Sequence, residues 1–342
     1  MKTPLDRHAL LGNDQTRRGF LKAVGGFGLL LGTQPLWALG GSRSRPSPSD
    51  VKARIRGPIL TLPTPFTADF KVDHQGVRNM VKLGLANGIG VYELTMGNSM
   101  YSALTYDEIK KLTQVFVEAV GRRGIVIAAT GQWWTGQAVD YARYAESVGA
   151  DAVQVLLPPG GSDDGYVEHF RKIAAATKIA IVLQGDPKPA LIERFVQIPS
   201  VVSMKEDGSE EYYADIQKKF GQRLAIFCGG QKRRYLVGLP FGSPAYFSFF
   251  ITFAPEIAVR FYQAVQKNDL VAARDIVERY EKPGFDFCSA GPRGFHAYWR
   301  ALMEHAGVTK RYVRPPEDSC SEEDMRRVRE LFERLGLKPL RR

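Results

Sequence analysis

The sequence predicts a closed (β/α)8 barrel followed by a helical extension. From Gly57 onward, short apolar runs alternate eight times with amphipathic stretches, and the runs lack the polar alternation of a half-exposed strand. Strands that are apolar on both faces are typical of a parallel sheet covered by helices, and eight such units in succession fit a barrel. A doubly wound open sheet is the alternative. No Gly-x-Gly-x-x-Gly follows the first run, which counts against that alternative.

The order of the elements follows from these patterns. Strands are predicted over residues 59–62, 90–95, 125–129, 152–157, 180–183, 201–204, 224–227 and 245–250. Helices are predicted between them over residues 77–86, 106–120, 136–148, 167–176, 190–198 and 211–220. The pattern then becomes purely helical, over residues 255–267, 269–280, 294–306 and 321–335. The last of these begins with Ser321 as a helix N-cap and acidic residues in its first turn.

The first 40 residues are predicted to be a targeting segment. Arg17 and Arg18 precede Phe20-Leu21-Lys22, a short apolar stretch and then small residues, which resembles a twin-arginine export signal. We therefore expect a periplasmic or otherwise exported protein that uses the twin-arginine export machinery; an uncleaved anchor is the alternative. Residues 41–56 are predicted to be a flexible linker, residues 57–254 the barrel core, and residues 255–342 the last barrel helix with the extension.

Bulk composition limits the classes of ligand. The net charge is +11, but no dense basic run interleaved with aromatic residues occurs in the body, so nucleic-acid binding is not indicated. The charge is compatible with anionic small molecules such as sugar acids. The histidines and Cys228, Cys288 and Cys320 show no metal-ligand spacing, so no metal or other cofactor is predicted. Whether two of the cysteines pair stays open.

Lys205 is the strongest candidate for a catalytic residue. It lies where the apolar sixth run becomes polar, in Ser203-Met204-Lys205-Glu206-Asp207. In a parallel barrel the active site lies at the carboxyl ends of the strands. Burial there lowers the pKa of a lysine and so favours the free amine that attacks a carbonyl to form a Schiff base. The alternative is a lysine that only marks the strand end and extends to solvent.

The barrel order, the Ser-Met-Lys-Glu-Asp-Gly context and the helical extension resemble the dihydrodipicolinate synthase and N-acetylneuraminate lyase superfamily. Residues 97–105, 156–159 and 242–258 are most similar to its 5-dehydro-4-deoxyglucarate dehydratase branch. The resemblance implies a class I enzyme that forms a Schiff base with 2-oxo acids through Lys205, and a homotetramer. It also implies a substrate pocket lined by Thr64, with the substrate carboxylate held by the amides and short side chains of Gly97, Asn98 and Ser99. We also assign Gln184 and Ser248, near the ends of the fifth and eighth runs, to substrate binding.

Several positions depart from the family pattern. The loop after the second strand lacks the second glycine and the glutamate of the family motif. No tyrosine follows the fourth strand, since Tyr166 comes later at a helix start, and Gln184-Gly185 replace the usual Tyr-Asn pair after the fifth. A buried phenol is a suitable proton relay, and glutamine cannot replace it. Candidate substitutes, each weighed against a purely structural role, are Tyr101, Tyr246, Glu93 and Glu206.

Two further pairs have open interpretations. Trp133 and Trp134 follow the third strand, where they either stack on a sugar or pack between helices. Arg233 and Arg234 follow the seventh strand, where they either bind a carboxylate or form the charged first turn of a solvent-facing helix.

The sequence therefore favours an exported Schiff-base lyase, aldolase or dehydratase acting on a sugar-derived 2-oxo acid. A non-catalytic exported barrel that binds a sugar acid or carboxylate ligand is the alternative, because the family's acid-base residues are missing. A weaker third hypothesis is a metal-assisted enzyme using Glu93, Asp186 and Glu206. Export counts against dihydrodipicolinate synthesis itself, whose intermediates are cytosolic.

Overall fold

The computed structural model describes residues 45–340. Eight parallel strands close into a barrel in chain order, with β8 pairing back to β1. They are β1 Gly57–Thr61, β2 Val91–Glu93, β3 Ile125–Ala129, β4 Ala152–Leu156, β5 Ala180–Gly185, β6 Val201–Glu206, β7 Ala225–Cys228 and β8 Ala245–Phe247. The predicted (β/α)8 barrel with carboxyl-terminal helices is confirmed.

The first helix precedes β1, and each of the others follows a strand and covers the outside of the barrel. They are α1 Pro48–Arg54, α2 His74–Ala86, α3 Tyr106–Val120, α4 Thr135–Val148, α5 Asp163–Ala176, α6 Pro189–Phe195, α7 Glu210–Phe220, α8 Gln231–Gly238 and α9 Pro255–Gln266. The extension consists of α10 Leu270–Ile276, a π-helical turn Val277–Glu281, α11 Lys282–Ala290, α12 Gly294–Ala306 and α13 Glu322–Leu335. Among residues 45–340, no helix combines the length and the apolar character needed to cross a bilayer.

Two sequence expectations differ from the structure in the carboxyl-terminal half. The eighth strand ends at Phe247, before the predicted end at residue 250, and Phe249–Thr252 form a 3-10 turn. The turn is buried, so its residues are as apolar as those of the strand and the sequence pattern does not separate the two. Helix α11 was not predicted. It continues almost directly from α10 through the π-helical turn, and Pro283 in its first turn is compatible with a helix start.

Helix α1 corrects the prediction of a flexible linker over residues 41–56. Ser47 and Asp50 form a capping box at its start, and a proline occupies the first turn. Its Val51 and the following Ile55 are fully buried in the apolar cluster that fills the barrel interior. The stretch therefore closes the amino-terminal end of the barrel. The prediction was wrong because the same Pro and Ser residues that are typical of a linker also form a helix start. The predicted export signal lies outside the described residues.

The pairing register arranges the barrel interior in layers. Strands of an eight-stranded barrel slip by about one residue each, so a layer takes four side chains from alternate strands. Followed from pair to pair, the register gives one layer from the even strands: Glu93, Gln154, Lys205 and Phe247. The next layer toward the carboxyl-terminal mouth comes from the odd strands and the start of the loop after β7: Thr61, Ala129, Gln184 and Gly229.

The three cysteines lie within the described residues. Cys228, Cys288 and Cys320 are all buried free thiols. The structure therefore contains no disulfide between them, which answers the question that their spacing left open.

Candidate active site

Lys205 lies inside the carboxyl-terminal mouth of the barrel. Its exposed fraction is 7%, so the side chain does not extend to solvent as a strand-end lysine often does. Its ammonium contacts the carboxylate of Asp207 and lies 5.5 Å from the centre of the Phe247 ring. A Cβ atom at Gly229 would lie 3.1 Å from the lysine Nζ. The glycine therefore provides space for the amine.

A chain of hydrogen bonds holds Asp207 in place. The Gln154 amide donates to Gln184 Oε1 at 2.7 Å, and the Gln184 amide donates to Asp207 Oδ2 at 3.0 Å. The other oxygen of Asp207 contacts the Lys205 ammonium. Gln184, predicted to bind substrate, thus lies beside the candidate nucleophile. This chain of hydrogen bonds orients the Asp207 carboxylate toward the Lys205 ammonium. The ammonium must lose a proton before the amine can attack a carbonyl, and the carboxylate is placed to accept that proton.

Glu93 lies in the same interior layer as Lys205, at the end of β2. Its side chain is fully buried, and neither carboxyl oxygen has a hydrogen-bond partner among the described residues. Burial raises the pKa of Glu93 well above that of an exposed glutamate, and the charge of Lys205 opposes this only in part. Burial therefore favours the protonated form of Glu93, which is able to donate a hydrogen bond into the site.

The two tyrosines considered as substitute proton relays lie away from Lys205. Tyr101 packs outside the barrel, where its hydroxyl is 3.4 Å from the hydroxyl of Tyr141. Tyr246 alternates with the interior residues of β8, and its hydroxyl donates to the carbonyl of Ala258 at 3.3 Å. Both hydroxyls therefore serve packing between strands and helices.

Glu206 is also directed away from the site. It neighbours Lys205 on β6 and so faces the helices, where Arg234 donates to its two oxygens at 2.9 and 2.7 Å. The carboxylate that Arg234 binds thus belongs to the protein itself. Since Glu93 faces the interior and Glu206 the outside, the two cannot share a metal ion as the third hypothesis requires.

Thr64 and Ser99 hold the loops after β1 and β2 together. The Thr64 hydroxyl donates to the Ser99 carbonyl at 2.6 Å, and the Ser99 hydroxyl donates to the Leu62 carbonyl at 2.7 Å. Both side chains are fully buried. Both hydroxyls therefore donate to backbone carbonyls of the two loops and not to a ligand. Thr64 and Ser99 affect a ligand only indirectly, because they fix the positions of these loops.

The backbone amides expected to hold a carboxylate are largely used within the loop. The Asn98 amide donates to Thr95 Oγ1 at 3.1 Å, and the Ser99 amide donates to the Thr95 carbonyl at 3.0 Å. This differs from the predicted row of exposed donors, because the loop folds back on Thr95. The Asn98 side chain instead reaches the mouth, where it donates to Thr61 Oγ1 at 3.3 Å, and Gly97 is exposed.

Ser248 accepts a hydrogen bond from Lys232, a residue that the sequence did not single out. Lys232 is fully buried; its ammonium donates to Ser248 Oγ at 2.9 Å and to Glu281 at 3.1 Å. Burial lowers the pKa of Lys232, with the Glu281 carboxylate opposing. In the sequence, Gln231-Lys232-Arg233 reads as an exposed charged turn, and only the packing of the extension onto the barrel buries it.

The two tryptophans after β3 have different environments. Trp133 stacks on Tyr101 with ring centres 6.2 Å apart, and it meets the ring edges of Tyr106 and Tyr141. The packing interpretation therefore holds for Trp133. Trp134 is 73% exposed, and its ring lies over Gly136 on the surface of helix α4.

The loop after β4 places no tyrosine beside Lys205. Tyr166 lies in the first turn of α5, as expected, and its hydroxyl accepts the amide of Gly161 at 3.1 Å. The ring fills the space over that glycine. This tyrosine therefore closes its own loop.

Comparison with known proteins agrees with the fold. Residues 54–335 match the model of the Dihydrodipicolinate synthetase family. The chain belongs to this family. A Probable 5-dehydro-4-deoxyglucarate dehydratase 1 from Streptomyces coelicolor is 29% identical over 81% of the chain and 92% of the relative. A 4-hydroxy-tetrahydrodipicolinate synthase from Methanopyrus kandleri is also 29% identical, over 84% of the chain and 98% of the relative.

A solved structure of this dihydrodipicolinate synthetase family agrees in fold. It is YagE, a prophage protein from E. coli K12 in complex with pyruvate, with a TM-score of 0.72, 22% identity, and coverage of 82% of this chain and 99% of its own. At this identity the likeness concerns the fold alone. Two relatives with different named activities are equally similar in sequence, so the overall similarity leaves the substrate of this family member to be argued from its site.

Proposed function

We propose that this family member is a class I lyase or dehydratase in which Lys205 forms a Schiff base with a 2-oxo acid. The observation that carries the proposal is the buried amine of Lys205 at the mouth of the barrel, in contact with Asp207. Buried lysines are rare unless they are paired or functional. This one is held where barrel enzymes bind their substrates.

The chemistry follows from the neighbours of the amine. Asp207 accepts the proton that Lys205 must lose, and the free amine adds to the C2 carbonyl to give a carbinolamine. Loss of water leaves an iminium ion. The positive nitrogen then draws the electron pair of a bond broken at C3 or C4, which permits C–C cleavage or elimination of water.

A polyhydroxylated, sugar-derived acid suits the surroundings. Gln154 and Gln184 present amide groups beside Lys205 and Asp207, and Asn98 presents a third beside Thr61 in the mouth of the barrel. Amide groups both donate to and accept from hydroxyls. The overall charge of +11 favours an anionic substrate. The relative from Streptomyces named for a deoxyglucarate derivative and the pyruvate complex of the E. coli protein agree with a 2-oxo acid of this kind.

Borohydride trapping tests the proposal. Purified protein is incubated with pyruvate and a panel of 2-oxo sugar acids, reduced, digested and analysed by peptide mass spectrometry. We expect a reduced adduct on Lys205, absent in Lys205→Ala. Lys188→Ala removes an exposed lysine at the same end of the barrel and serves as the matched control. An adduct spread over surface lysines, or one that survives Lys205→Ala, would contradict the proposal.

Binding without turnover is the second candidate function. It is favoured by the absence of a tyrosine beside Lys205 at the ends of β4 and β5, where Leu156 and Gln184 stand. A folded protein that binds sugar acids by calorimetry yet gives no adduct with any of them would establish this candidate and exclude the lyase.

We further propose export through the arginine pair and a homo-oligomeric state. The Arg17-Arg18 pair followed by a short apolar stretch supports export. Replacing both arginines with lysine is expected to keep the protein in the cytoplasm, as measured by cell fractionation, with Lys2→Arg as the control. Light scattering after gel filtration tests the tetramer that the family resemblance implies.

A further inference from the structure

Glu93 is a buried acid inside the barrel. The contact between Lys205 and Asp207 does not explain why an acid is buried at this position. It shares an interior layer with Lys205, Gln154 and Phe247, and the register places it across the barrel from the amine. Both of its carboxyl oxygens are without a hydrogen-bond partner among the described residues. Gln154 Oε1, in the same layer, also lacks one.

Such an arrangement is costly for folding alone. A buried polar group without a partner costs about 1–3 kcal/mol, and apolar side chains of similar size would fill the same space without this cost. The layers beneath Glu93 are filled in that way, by residues such as Val91 and Ile127. The unpaired oxygens of Glu93 and Gln154 are therefore available to a ligand that is bound beside Lys205.

The layer above Glu93 leaves room for such a ligand. Three of its four members, Thr61, Ala129 and Gly229, have short side chains or none, and Gln184 is the one long side chain in the layer. Above the floor formed by Glu93, Gln154, Lys205 and Phe247, a ligand joined to the amine would be in reach of the acid. The charged groups that face Glu93 are Lys205 and Asp207.

We propose that Glu93 is the proton-transfer residue of the Schiff-base reaction. It would replace the tyrosine that the family resemblance predicts after β4 and that this chain lacks there. The inference rests on the proposed function of Lys205. Tyr101, Tyr246 and Glu206 are each directed away from the interior, so Glu93 alone of the four candidates reaches the layer of the lysine.

One proton accounts for both steps. The neutral Glu93 acid donates its proton to the hydroxyl of the carbinolamine, the C–O bond breaks, and water leaves. The products are an iminium ion and the Glu93 carboxylate, so charge is conserved. The carboxylate then removes a proton from C3, and the C–H electron pair forms the C2–C3 double bond of an enamine. The nitrogen becomes neutral and the acid is restored for the next transfer.

The test separates Schiff-base formation from proton transfer at C3. Pyruvate is incubated in D2O with wild-type protein, Glu93→Gln and the surface control Glu118→Gln; loss of the methyl signal is followed by NMR, and adducts are trapped with borohydride. We expect Glu93→Gln still to give the Lys205 adduct after long incubation, while exchange at C3 falls by about 100-fold or more. Glu118→Gln should match wild type in both measurements.

Each remaining outcome has a defined meaning. Exchange in Glu93→Gln within about threefold of wild type would overturn the role of Glu93 and leave the Schiff base intact, since acid-base catalysis contributes at least about 100-fold. No adduct in wild type would overturn the proposed function and this inference with it. If Glu93→Gln does not fold, Glu93→Asp decides: a preserved adduct with exchange reduced about tenfold supports the role, because the carboxyl is withdrawn by one methylene. Exchange at the wild-type rate in Glu93→Asp contradicts it.

Discussion

Lys232 and Glu281 form a buried ion pair, with 3.1 Å between Nζ and Oε2, that joins the barrel to its helical extension. The same carboxylate accepts the backbone amides of Lys232 and Arg233 at 2.9 and 2.8 Å, at the start of α8. Glu281 lies in the π-helical turn that precedes α11, and such turns are frequent at functional sites. The extension thus supports the loop after β7, which also contains Gly229.

This relationship predicts an order of stabilities. Glu281→Gln leaves the Lys232 charge buried without its counter-ion, so we expect a loss of about 3–5 kcal/mol in the free energy of unfolding. Lys232→Met should cost less, because the carboxylate keeps two backbone donors. The double variant should be more stable than Glu281→Gln alone. Urea unfolding of the three variants measures the order, and equal costs for the two single variants would contradict it.

Gly229 is expected to control access to the amine of Lys205. In Gly229→Ala the new methyl group would lie 3.1 Å from both Cε and Nζ of the lysine, so the amine must move. We expect adduct formation with pyruvate to slow by about tenfold or more, with little change in the unfolding midpoint. Gly90→Ala, whose methyl group would meet nothing within 4 Å, is the matched control. Equal trapping rates in both variants would show that the contact is unimportant.

Stability at low pH is expected to depend on Glu108. Arg314 donates to both of its oxygens and is the main cause that lowers the Glu108 pKa to about 2, from a usual value of 4.5. A carboxyl with a lowered pKa stabilises the fold above its unfolded value, and this contribution is lost as the pH falls through the folded value. Glu108→Gln should therefore be about 1 kcal/mol less stable at pH 7, as is usual for a partly exposed pair.

The difference between wild type and Glu108→Gln should shrink between pH 4.5 and pH 2, as measured by thermal unfolding across this range. Asp69→Asn is the comparison, because Asp69 pairs with Lys71 on the surface and that pair should contribute little. A difference that grows as the pH falls would have the wrong sign for this mechanism.

The adjacent tryptophans should differ in how much their truncation destabilises the protein. Trp133→Ala removes a ring that contacts three tyrosines, and we expect a loss of about 2–3 kcal/mol, below the roughly 3–5 kcal/mol of a core tryptophan because the ring is only partly buried. Trp134→Ala removes a ring that is 73% exposed and should change stability by less than about 0.5 kcal/mol. Urea unfolding of the two variants decides; similar losses would mean that Trp134 is covered in solution.

The barrel was predictable because its signal is local and repeated. Each strand is a short apolar run bounded by polar turns, and β3 matches the predicted residues 125–129 at both ends. Helix α12 likewise coincides with residues 294–306, since its start and end lie at glycines that bound the amphipathic pattern. The helix at Pro48–Arg54 was missed because its seven residues are stabilised by burial of Val51 at the end of the barrel.

The candidate site was predictable only in part. Lys205 could be singled out because it ends the sixth apolar run of a predicted barrel, in a local motif that resembles that of the family. The partners of Lys205 could not: Asp207 and Gln184 reach the amine through the geometry of two strand ends, and Lys232 is buried only by the extension. The four candidates for proton transfer were equivalent in the sequence.

The sequence by itself determined the barrel, its family and the lysine at the end of β6, because hydrophobic period, turn residues and a local motif are encoded within short stretches. Only the tertiary structure decided which side chains share a layer with that lysine. A one-residue change of register exchanges the interior and exterior faces of a strand, so the pairing of all eight strands places Glu93 inside and Glu206 outside. Closure of the barrel brings β2 opposite β6, and with it an unpaired acid opposite an amine more than 100 residues away in the sequence.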